Sequence, residues 1–139
     1  MDPEIIKKFL ERGNVFAVVG VSSNPEKWGY KVYKNLKGAG YKVYPINPKL
    51  KEINGDKCYP NLHQLPEKPN VVVTVVPPKI TEKIIEEAAK LGIKMIWMQP
   101  GSENEEIIEK GENLDLTIIH EVCILETTIQ LQLRRGESM

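Results

Sequence analysis

The stretch from residue 15 to residue 29 constrains the fold more than any other part of the chain. It begins with a continuous apolar run, residues 15–20, which is typical of a strand buried on both faces of a parallel sheet. A small polar turn follows, and we expect a helix to begin near Gly29. This order brings backbone N–H groups and the positive end of a helix dipole to the carboxyl end of the strand, which suits a phosphate group. The spacing Gly20-x-Ser22 with a later Gly29 differs from the dinucleotide fingerprint G-x-G-x-x-G.

Five apolar segments of strand length alternate with segments of helical pattern along the chain. Strands joined through helices at this spacing form βαβ units, which build a parallel sheet with right-handed crossovers. The pattern predicts an α/β fold: a doubly wound, Rossmann-like, five-stranded parallel sheet with helices on both faces, in a single domain over residues 1–139. The expected strands are residues 15–20, 41–46, 70–76, 94–98 and 116–120, and the expected helices are residues 3–12, 29–38, 81–91, 103–110 and 125–135.

Glycine and proline mark the connections between these elements. Asn54-Gly55 predicts a tight turn, residues 61–65 a single helical turn, and Pro45 and Pro48 are expected to stop the second strand. In a doubly wound sheet the loops that follow the strands share one edge, and ligands bind there near the switch in strand order. The candidate site therefore lies in those loops.

The bulk composition excludes several classes of partner. Lysine plus arginine and aspartate plus glutamate both total 19, so the chain has no basic excess of the kind that favours nucleic acid. The apolar runs are strand-sized and no signal pattern precedes the first helix, so we expect no membrane partner. The two cysteines lie far apart and form no metal-ligand spacing with either histidine. A cytoplasmic protein without a metal site is the expectation.

The first two loops point to a phosphorylated ligand. Ser22, Ser23 and Lys27 follow the first strand and are expected to hold a phosphate. A fold that binds NAD usually ends its second strand with an acidic residue for the ribose hydroxyls, but here Asn47, Pro48 and Lys49 follow that strand. Ordinary NAD is disfavoured, while a ligand with an additional phosphate is favoured.

The loops after the third and fourth strands offer apolar and polar groups, respectively. Pro77 and Pro78 follow the most apolar strand; they either stop that strand or form a rigid wall for a base or a thin apolar arm. Gln99 and Gly101 follow the fourth strand and place an amide and a small residue at the same edge. Trp28 and Trp97 are expected to pack in the core or at the rim rather than to stack on a ligand.

Catalytic groups are sparse in this sequence. His120 and Cys123 follow the last strand, but alternation along a strand sends them to opposite sides, so nucleophilic catalysis is not expected. Cys123 is a candidate for thiol exchange with a thiol-bearing ligand. Cys58 is interpreted as an incidental loop cysteine, and His63 lies in a short polar turn without a visible partner.

Taken together, the loops resemble a known family. The resemblance is carried by motifs spread over most of the chain: Gly20-Val21-Ser22-Ser23-Asn24-Pro25, Gly29, Gly40-Tyr41-Lys42-Val43-Tyr44-Pro45-Ile46-Asn47-Pro48, Gly55, Tyr59, Val76-Pro77-Pro78, Ile96-Trp97-Met98-Gln99-Pro100-Gly101 and Val122-Cys123-Ile124. These are similar to the CoA-binding domain family, small stand-alone relatives of the CoA-binding domain of the succinyl-CoA synthetase α subunit.

The resemblance implies coenzyme A bound across the carboxyl edge of the sheet. It assigns the pyrophosphate to Gly20, Ser22 and Ser23, the adenosine and its 3′-phosphate to the segment 47–49, and the flanks of the ligand to the segment 76–78. Gln99 and Gly101 would line the path of the pantetheine arm. The synthetase uses a catalytic histidine from a second domain that this sequence does not contain, so His120 does not inherit that role.

Three functions are compatible with these residues. The first is a module that binds CoA or a short acyl-CoA and has no catalytic residues of its own. The second is an enzyme that uses the same site, either as an NAD(P)-type oxidoreductase or as a catalyst of CoA thiol or acyl exchange through Cys123. The third is an accessory subunit that supplies a CoA site to a separate catalytic protein. The sequence leaves the oligomeric state open.

Overall fold

The computed structural model describes residues 2–134, in which strands and helices alternate along most of the chain. The strands are β1 (Val15–Val19), β2 (Lys42–Ile46), β3 (Glu52–Ile53), β4 (Asp56–Lys57), β5 (Val71–Thr74), β6 (Met95–Met98) and β7 (Thr117–Ile119). The helices are α1 (Pro3–Phe9), α2 (Trp28–Gly38), α3 (Pro78–Lys90), α4 (Glu105–Asn113) and α5 (Ile124–Arg134), with a 3-10 turn at Leu62–Gln64.

Five strands form one parallel sheet in the order β2-β1-β5-β6-β7. The chain leaves β1 through α2 to pair β2 on one side, and it returns to pair β5 on the other side of β1. The strand order therefore reverses between β1 and β5, which is the position where ligands bind in such sheets. This confirms the predicted doubly wound, five-stranded α/β fold.

Strand residues alternate between two apolar cores, one on each face of the sheet. Phe16 and Val18 of β1 pack with residues of α1, α2 and α5, and Ala17 and Val19 pack with residues of α3 and α4. All four side chains are at most 4% exposed. Helices on both faces explain the continuous apolar runs, because a strand that is covered twice has no polar side.

Two prolines that were expected to stop strands lie inside regular elements of the structure. Pro45 is part of β2, an edge strand, where its carbonyl accepts a hydrogen bond from the Tyr59 N–H on the side away from β1. The missing proline N–H faces that same outer side, so no bond to β1 is lost. Pro78 is the first residue of α3, which therefore begins three residues earlier than predicted, because proline fits the first turn of a helix.

Helix α1 ends at Phe9, before the predicted end at residue 12. The side chain of Asn14 donates hydrogen bonds to the carbonyls of Lys8 and Phe9 at 2.9 and 2.8 Å. These bonds satisfy carbonyls that a longer helix would have used itself. At the other terminus of the chain, the predicted end of the last helix at residue 135 lies outside the described residues.

A short hairpin, β3–β4, connects β2 to the rest of the chain through the predicted Asn54-Gly55 turn. Both turn residues have positive φ angles, 50° and 84°, as a tight hairpin turn requires. Asp56 of this hairpin accepts hydrogen bonds from the Tyr33 hydroxyl and the Lys37 ammonium group of α2. The hairpin is thereby attached to the helix that follows β1.

The polar contacts of two further residues differ from the sequence-based interpretation. His63, which has no partner visible in the sequence, places Nδ1 at 2.6 Å from Glu87 Oε2 of α3. Cys58 is 5% exposed and its thiol lies 3.7 Å from the Asn47 carbonyl oxygen, so it is a core residue and burial raises its pKa. Within residues 2–134, every helix is too short or too polar to cross a bilayer.

We predict that Asp56→Asn destabilises the domain by about 1 kcal/mol at neutral pH. The bonds from Lys37 and Tyr33 lower the pKa of Asp56, so its contribution is present above the ordinary carboxyl pKa. It is lost as the pH falls through the lower folded-state value, from roughly pH 5 downward. Urea unfolding between neutral and acidic pH measures the difference.

Asp115→Asn is the matched control for this experiment, because it removes the same charge at an exposed turn position with φ of 61° that asparagine also tolerates. The difference in unfolding free energy between wild type and Asp56→Asn should shrink on acidification. A difference that is constant with pH would show that the carboxylate charge is not involved.

Candidate functional site

A cleft of about 680 Å³ opens at the carboxyl edge of the sheet, at the reversal of strand order between β1 and β5. Each loop that lines it follows a strand of the main sheet, and the lining continues into the first turns of α2 and α5. The lining residues are Gly20, Val21, Ser22, Lys27, Trp28, Gly29, Asn47, Val75, Val76, Pro77, Gln99, Pro100, Gly101, Ser102, Cys123 and Glu126.

The loop after β1 is closed by two glycines whose backbones touch. A Cβ on Gly29 would lie 2.0 Å from the Gly20 carbonyl oxygen, and a Cβ on Gly20 would lie 2.3 Å from the Val75 carbonyl oxygen. Gly20 also has φ of 102°, which residues with a side chain rarely adopt. Glycine at both positions lets the start of α2 approach the ends of β1 and β5.

Hydrogen bonds within the loop organise the residues between these glycines. Ser22 Oγ accepts from the Asn24 N–H, and Asn24 Oδ1 accepts from the Glu26 N–H, both at 3.0 Å. The Lys27 N–H then donates to the Asn24 carbonyl at 3.0 Å. These turns hold Ser22 and Lys27 at the cleft.

Two of the helices that begin at the cleft, α2 and α3, have no side-chain cap among the described residues. Lys27 precedes α2 and Pro77 precedes α3, and within the described residues neither helix has a side-chain cap bond or an acidic residue in its first turn. By contrast, Asp2 caps α1 and Asn104 caps α4. The positive ends of α2 and α3 are therefore not neutralised by their own sequence, and both favour an anion.

Asn47 ties the loop after β2 to the loop after β1. Its side-chain amide donates to the Val21 carbonyl at 2.8 Å, and its Oδ1 accepts from the Lys49 N–H at 2.8 Å. No acidic side chain lines the cleft at the end of β2 among the described residues. The bonds of Asn47 hold the loop after β2 beside the polar turn that follows β1.

A buried network holds the other end of the cleft. Gln99 is 4% exposed; its Oε1 accepts from the Ile124 N–H at 2.7 Å, and its Nε2 lies 3.6 Å from Cys123 Sγ. Ser102 Oγ donates to the Gln99 carbonyl at 2.7 Å and lies 3.0 Å from Thr74 Oγ1. The loop after β6 is thereby joined to β5 and to the start of α5.

The residues after β7 do not form a cysteine–histidine pair in the cleft. Cys123 lines the cleft and its carbonyl accepts from the Thr127 N–H, as expected for the residue that precedes a helix. His120 is not a lining residue; its Nδ1 lies 3.5 Å from a carboxylate oxygen of the exposed Glu121. Cys123 is therefore the thiol that a bound ligand would meet.

Most of the predicted site residues meet at this cleft. Those that line it are Gly20, Ser22, Lys27, Asn47, Val76, Pro77, Gln99, Gly101 and Cys123. Four others are adjacent in sequence but do not line it: Ser23, Pro48, Lys49 and Pro78. The first three are exposed, so only a large ligand that extends beyond the cleft would reach them.

Sequence reasoning missed several lining residues. Glu126 was hidden in the amphipathic pattern of α5, although its position three residues after Cys123 places both on one side of the first turn. Of the two tryptophans expected in the core or at the rim, Trp28 lies at the rim of the cleft and is 52% exposed, and Trp97 is fully buried in the core. The other additions are Val21, Gly29, Val75, Pro100 and Ser102.

The motifs that line the cleft belong to a described family. The sequence model of the CoA binding domain matches residues 14–128, which is most of the chain. The chain belongs to the CoA-binding domain family. This confirms the resemblance drawn from the loop motifs.

Relatives of this CoA-binding domain include ligase subunits and small proteins. The α subunit of ADP-forming acetate–CoA ligase II from Pyrococcus furiosus is 32% identical over 127 residues, which cover 84% of this chain and 27% of the subunit. The uncharacterized protein YneT of Bacillus subtilis is 29% identical, with 86% of this chain and 88% of YneT covered. The chain spans about a quarter or less of the ADP-forming ligases that it matches.

A solved structure supports the same fold over nearly the full chain. A hypothetical protein from Pyrococcus horikoshii OT3 superposes with a TM-score of 0.88 at 37% identity, and the match covers 94% of this chain and 92% of that one. The chain therefore matches small proteins over most of their length, and it also matches one part of larger ligases.

We predict that Gly29→Ala destabilises this CoA-binding domain by about 1–3 kcal/mol. The new methyl group overlaps the Gly20 carbonyl oxygen and forces the backbone to move. Gly38→Ala on the same helix is the control, since a Cβ there meets nothing within 4 Å. The control should be neutral or stabilised by up to about 1 kcal/mol. Thermal unfolding of both variants checks this, and equal effects would contradict the close approach.

Proposed function

We propose that this domain binds coenzyme A, or a short acyl-CoA, in the cleft at the carboxyl edge of its sheet. The observation that carries the proposal is the position of the cleft, which combines the reversal of strand order, two uncapped helix N-termini and a glycine-closed turn. Membership in the CoA-binding domain family supports this ligand over other phosphorylated ligands.

The pyrophosphate is assigned to the start of α2. The N–H of Gly20 already donates to the Ile46 carbonyl at 3.0 Å, so Gly20 contributes close approach rather than a hydrogen bond to the ligand. Ser22 and Lys27 line the cleft beside the uncapped helix and supply a hydroxyl and a positive charge. Ser23 is exposed next to them and would contact a phosphate only at the mouth.

The adenosine and its 3′-phosphate are assigned to the loop after β2. Asn47 reaches the cleft, while Pro48 and Lys49 lie exposed just outside it. A long lysine side chain at this position suits a 3′-phosphate that projects from the cleft. The lack of an acidic lining residue here among the described residues argues against the ribose of NAD.

The pantetheine arm is assigned to the path from β5 to β6. Val76 and Pro77 form an apolar wall, Pro78 follows in the first turn of α3, and Gln99 and Gly101 line the cleft further along. The methylene groups of the pantetheine arm suit the apolar wall, and its amide groups suit the lining residues further along the cleft. The thiol would then lie near Cys123.

The domain is proposed to bind without catalysing a reaction itself. The side chains that line the cleft do not pair a nucleophile with a base within the described residues. The ADP-forming ligase subunit from Pyrococcus furiosus is longer than this chain, so a separate catalytic partner that uses the bound CoA is a reasonable extension. A cytoplasmic location stays a prediction.

Titration calorimetry with CoA, dephospho-CoA, NAD and NADP tests the ligand. We expect CoA to bind most tightly, dephospho-CoA to bind about tenfold more weakly because one phosphate contact is lost, and NAD to bind weakest. Binding of NAD or NADP equal to that of CoA would overturn the proposal in favour of a dinucleotide-dependent oxidoreductase.

Lysine variants separate the two phosphate assignments. Lys27→Gln should weaken CoA and dephospho-CoA to a similar degree, because Lys27 faces the pyrophosphate that both contain. Lys49→Gln should weaken CoA more than dephospho-CoA. Lys34→Gln is the control, since Lys34 is exposed on α2 outside the cleft. Equal losses of both ligands on Lys49→Gln would contradict the 3′-phosphate assignment.

Thiol exchange through Cys123 is the second candidate function. Cys123 lines the cleft directly before α5, and the Gln99 amide nitrogen lies 3.6 Å from its sulfur, so the thiol is positioned to meet the thiol end of the proposed ligand. In exchange with a CoA disulfide, the Cys123 thiolate would attack one sulfur. A protein–CoA disulfide would form, and the other half would leave as a thiolate.

Intact-mass spectrometry after incubation with CoA disulfide measures this reaction. We expect one CoA adduct that reductant removes, unchanged in Cys58→Ala because Cys58 is buried in the core, and absent in Cys123→Ala. An adduct that persists in Cys123→Ala would exclude this residue. If wild type forms no adduct although calorimetry shows CoA binding, the domain is a binding module alone.

A further inference from the structure

Two charged side chains line the cleft, and they belong to different parts of the sheet edge. Of the sixteen described residues around the cleft, Lys27 and Glu126 carry the charges. Lys27 lies in the loop after β1, at the end assigned above to the pyrophosphate. Glu126 lies in the first turn of α5. The assigned ligand accounts for the positive charge, whereas the negative charge is favoured by the N-terminal end of α5 and also faces the cleft.

The position of Glu126 follows from the contacts of Gln99. Gln99 comes directly after β6 and bonds the Ile124 N–H at 2.7 Å, with its amide nitrogen 3.6 Å from Cys123 Sγ. These contacts hold the first turn of α5 against the end of β6. Since β6 is two places from β1 in the sheet, the two strand ends are about 10 Å apart.

The carboxylate of Glu126 is accessible to a ligand in the cleft. Its side chain is exposed to the cleft, and in the described part of the chain no lysine, arginine or histidine pairs with its carboxylate. Gln99 and Ser102, the polar residues nearby, are buried and engaged with other protein groups. The positive N-terminal end of α5 offsets part of this negative charge, and no basic side chain among the described residues neutralises the rest at this end of the cleft.

We propose that Glu126 selects against acyl groups that carry a negative charge. This inference rests on the proposed function: if the pyrophosphate lies at Lys27, the pantetheine arm runs past β5 and delivers the thioester to the start of α5. A carboxylate on the acyl group would then face the carboxylate of Glu126. The ligand class is free CoA or a thioester of an uncharged acyl group, and monothioesters of dicarboxylic acids are rejected.

Matched acyl-CoA pairs test the charge alone. Calorimetry compares succinyl-CoA with butyryl-CoA, and malonyl-CoA with propionyl-CoA, so that each pair has the same number of carbons in its chain. We expect each acidic member to bind wild type about fivefold or more weakly. This ratio should fall toward one in Glu126→Gln and invert in Glu126→Lys, and added salt should reduce it in wild type.

Glu121→Gln is the control, because it removes the same charge from an exposed residue close in the chain that does not line the cleft. In Glu121→Gln, the ratio of the affinities within each acyl-CoA pair should match wild type. A fall in this ratio equal to that in Glu126→Gln would assign the effect to net charge and overturn the inference. Equal binding within both pairs by wild type would also overturn it while leaving CoA binding intact. If no CoA species binds, the proposed function itself fails. Circular dichroism confirms that each variant is folded.

Discussion

The contact between the backbones of Gly20 and Gly29 is the constraint on which the cleft depends. A helix that follows a strand normally starts at a distance set by the side chains between them, but here the start of α2 rests on the carbonyl of Gly20. Gly20 in turn rests on the carbonyl of Val75, at the end of β5. Three elements therefore meet with no side chain between them, and the space in front of them stays open.

Attachments on either side stabilise this arrangement. Asn47 holds the loop after β2 to the carbonyl of Val21, and Asp56 attaches the hairpin that follows to α2. On the other side, Gln99 fixes the start of α5 at the end of β6. These polar bonds join the loops to one another, in addition to the apolar contacts that loop residues such as Val21 make with the core. The cleft is thus preorganised, which lowers the entropic cost of ordering its walls around a ligand.

The proposed binding of CoA and the proposed discrimination between acyl groups depend on charges at different places in the cleft. The uncapped N-termini of α2 and α3 provide attraction for an anion without a dense cluster of basic side chains, which agrees with a chain of zero formal net charge. The first turn of α5 adds a thiol and a carboxylate at the end of the cleft near β6. Binding and discrimination are therefore assigned to different strand ends of one sheet.

The sequence predicted the order of the main-sheet strands and helices, the parallel sheet and the strand-end loops that line the cleft, because apolar runs, glycines and prolines act over short distances. It predicted the turn at Asn54 and the burial of Trp97 for the same reason. Two features could be seen only in the folded chain: Pro45 lies within an edge strand, and Glu126 faces the cleft. Both depend on which elements become neighbours, and local sequence patterns do not encode the contacts between residues far apart in the chain.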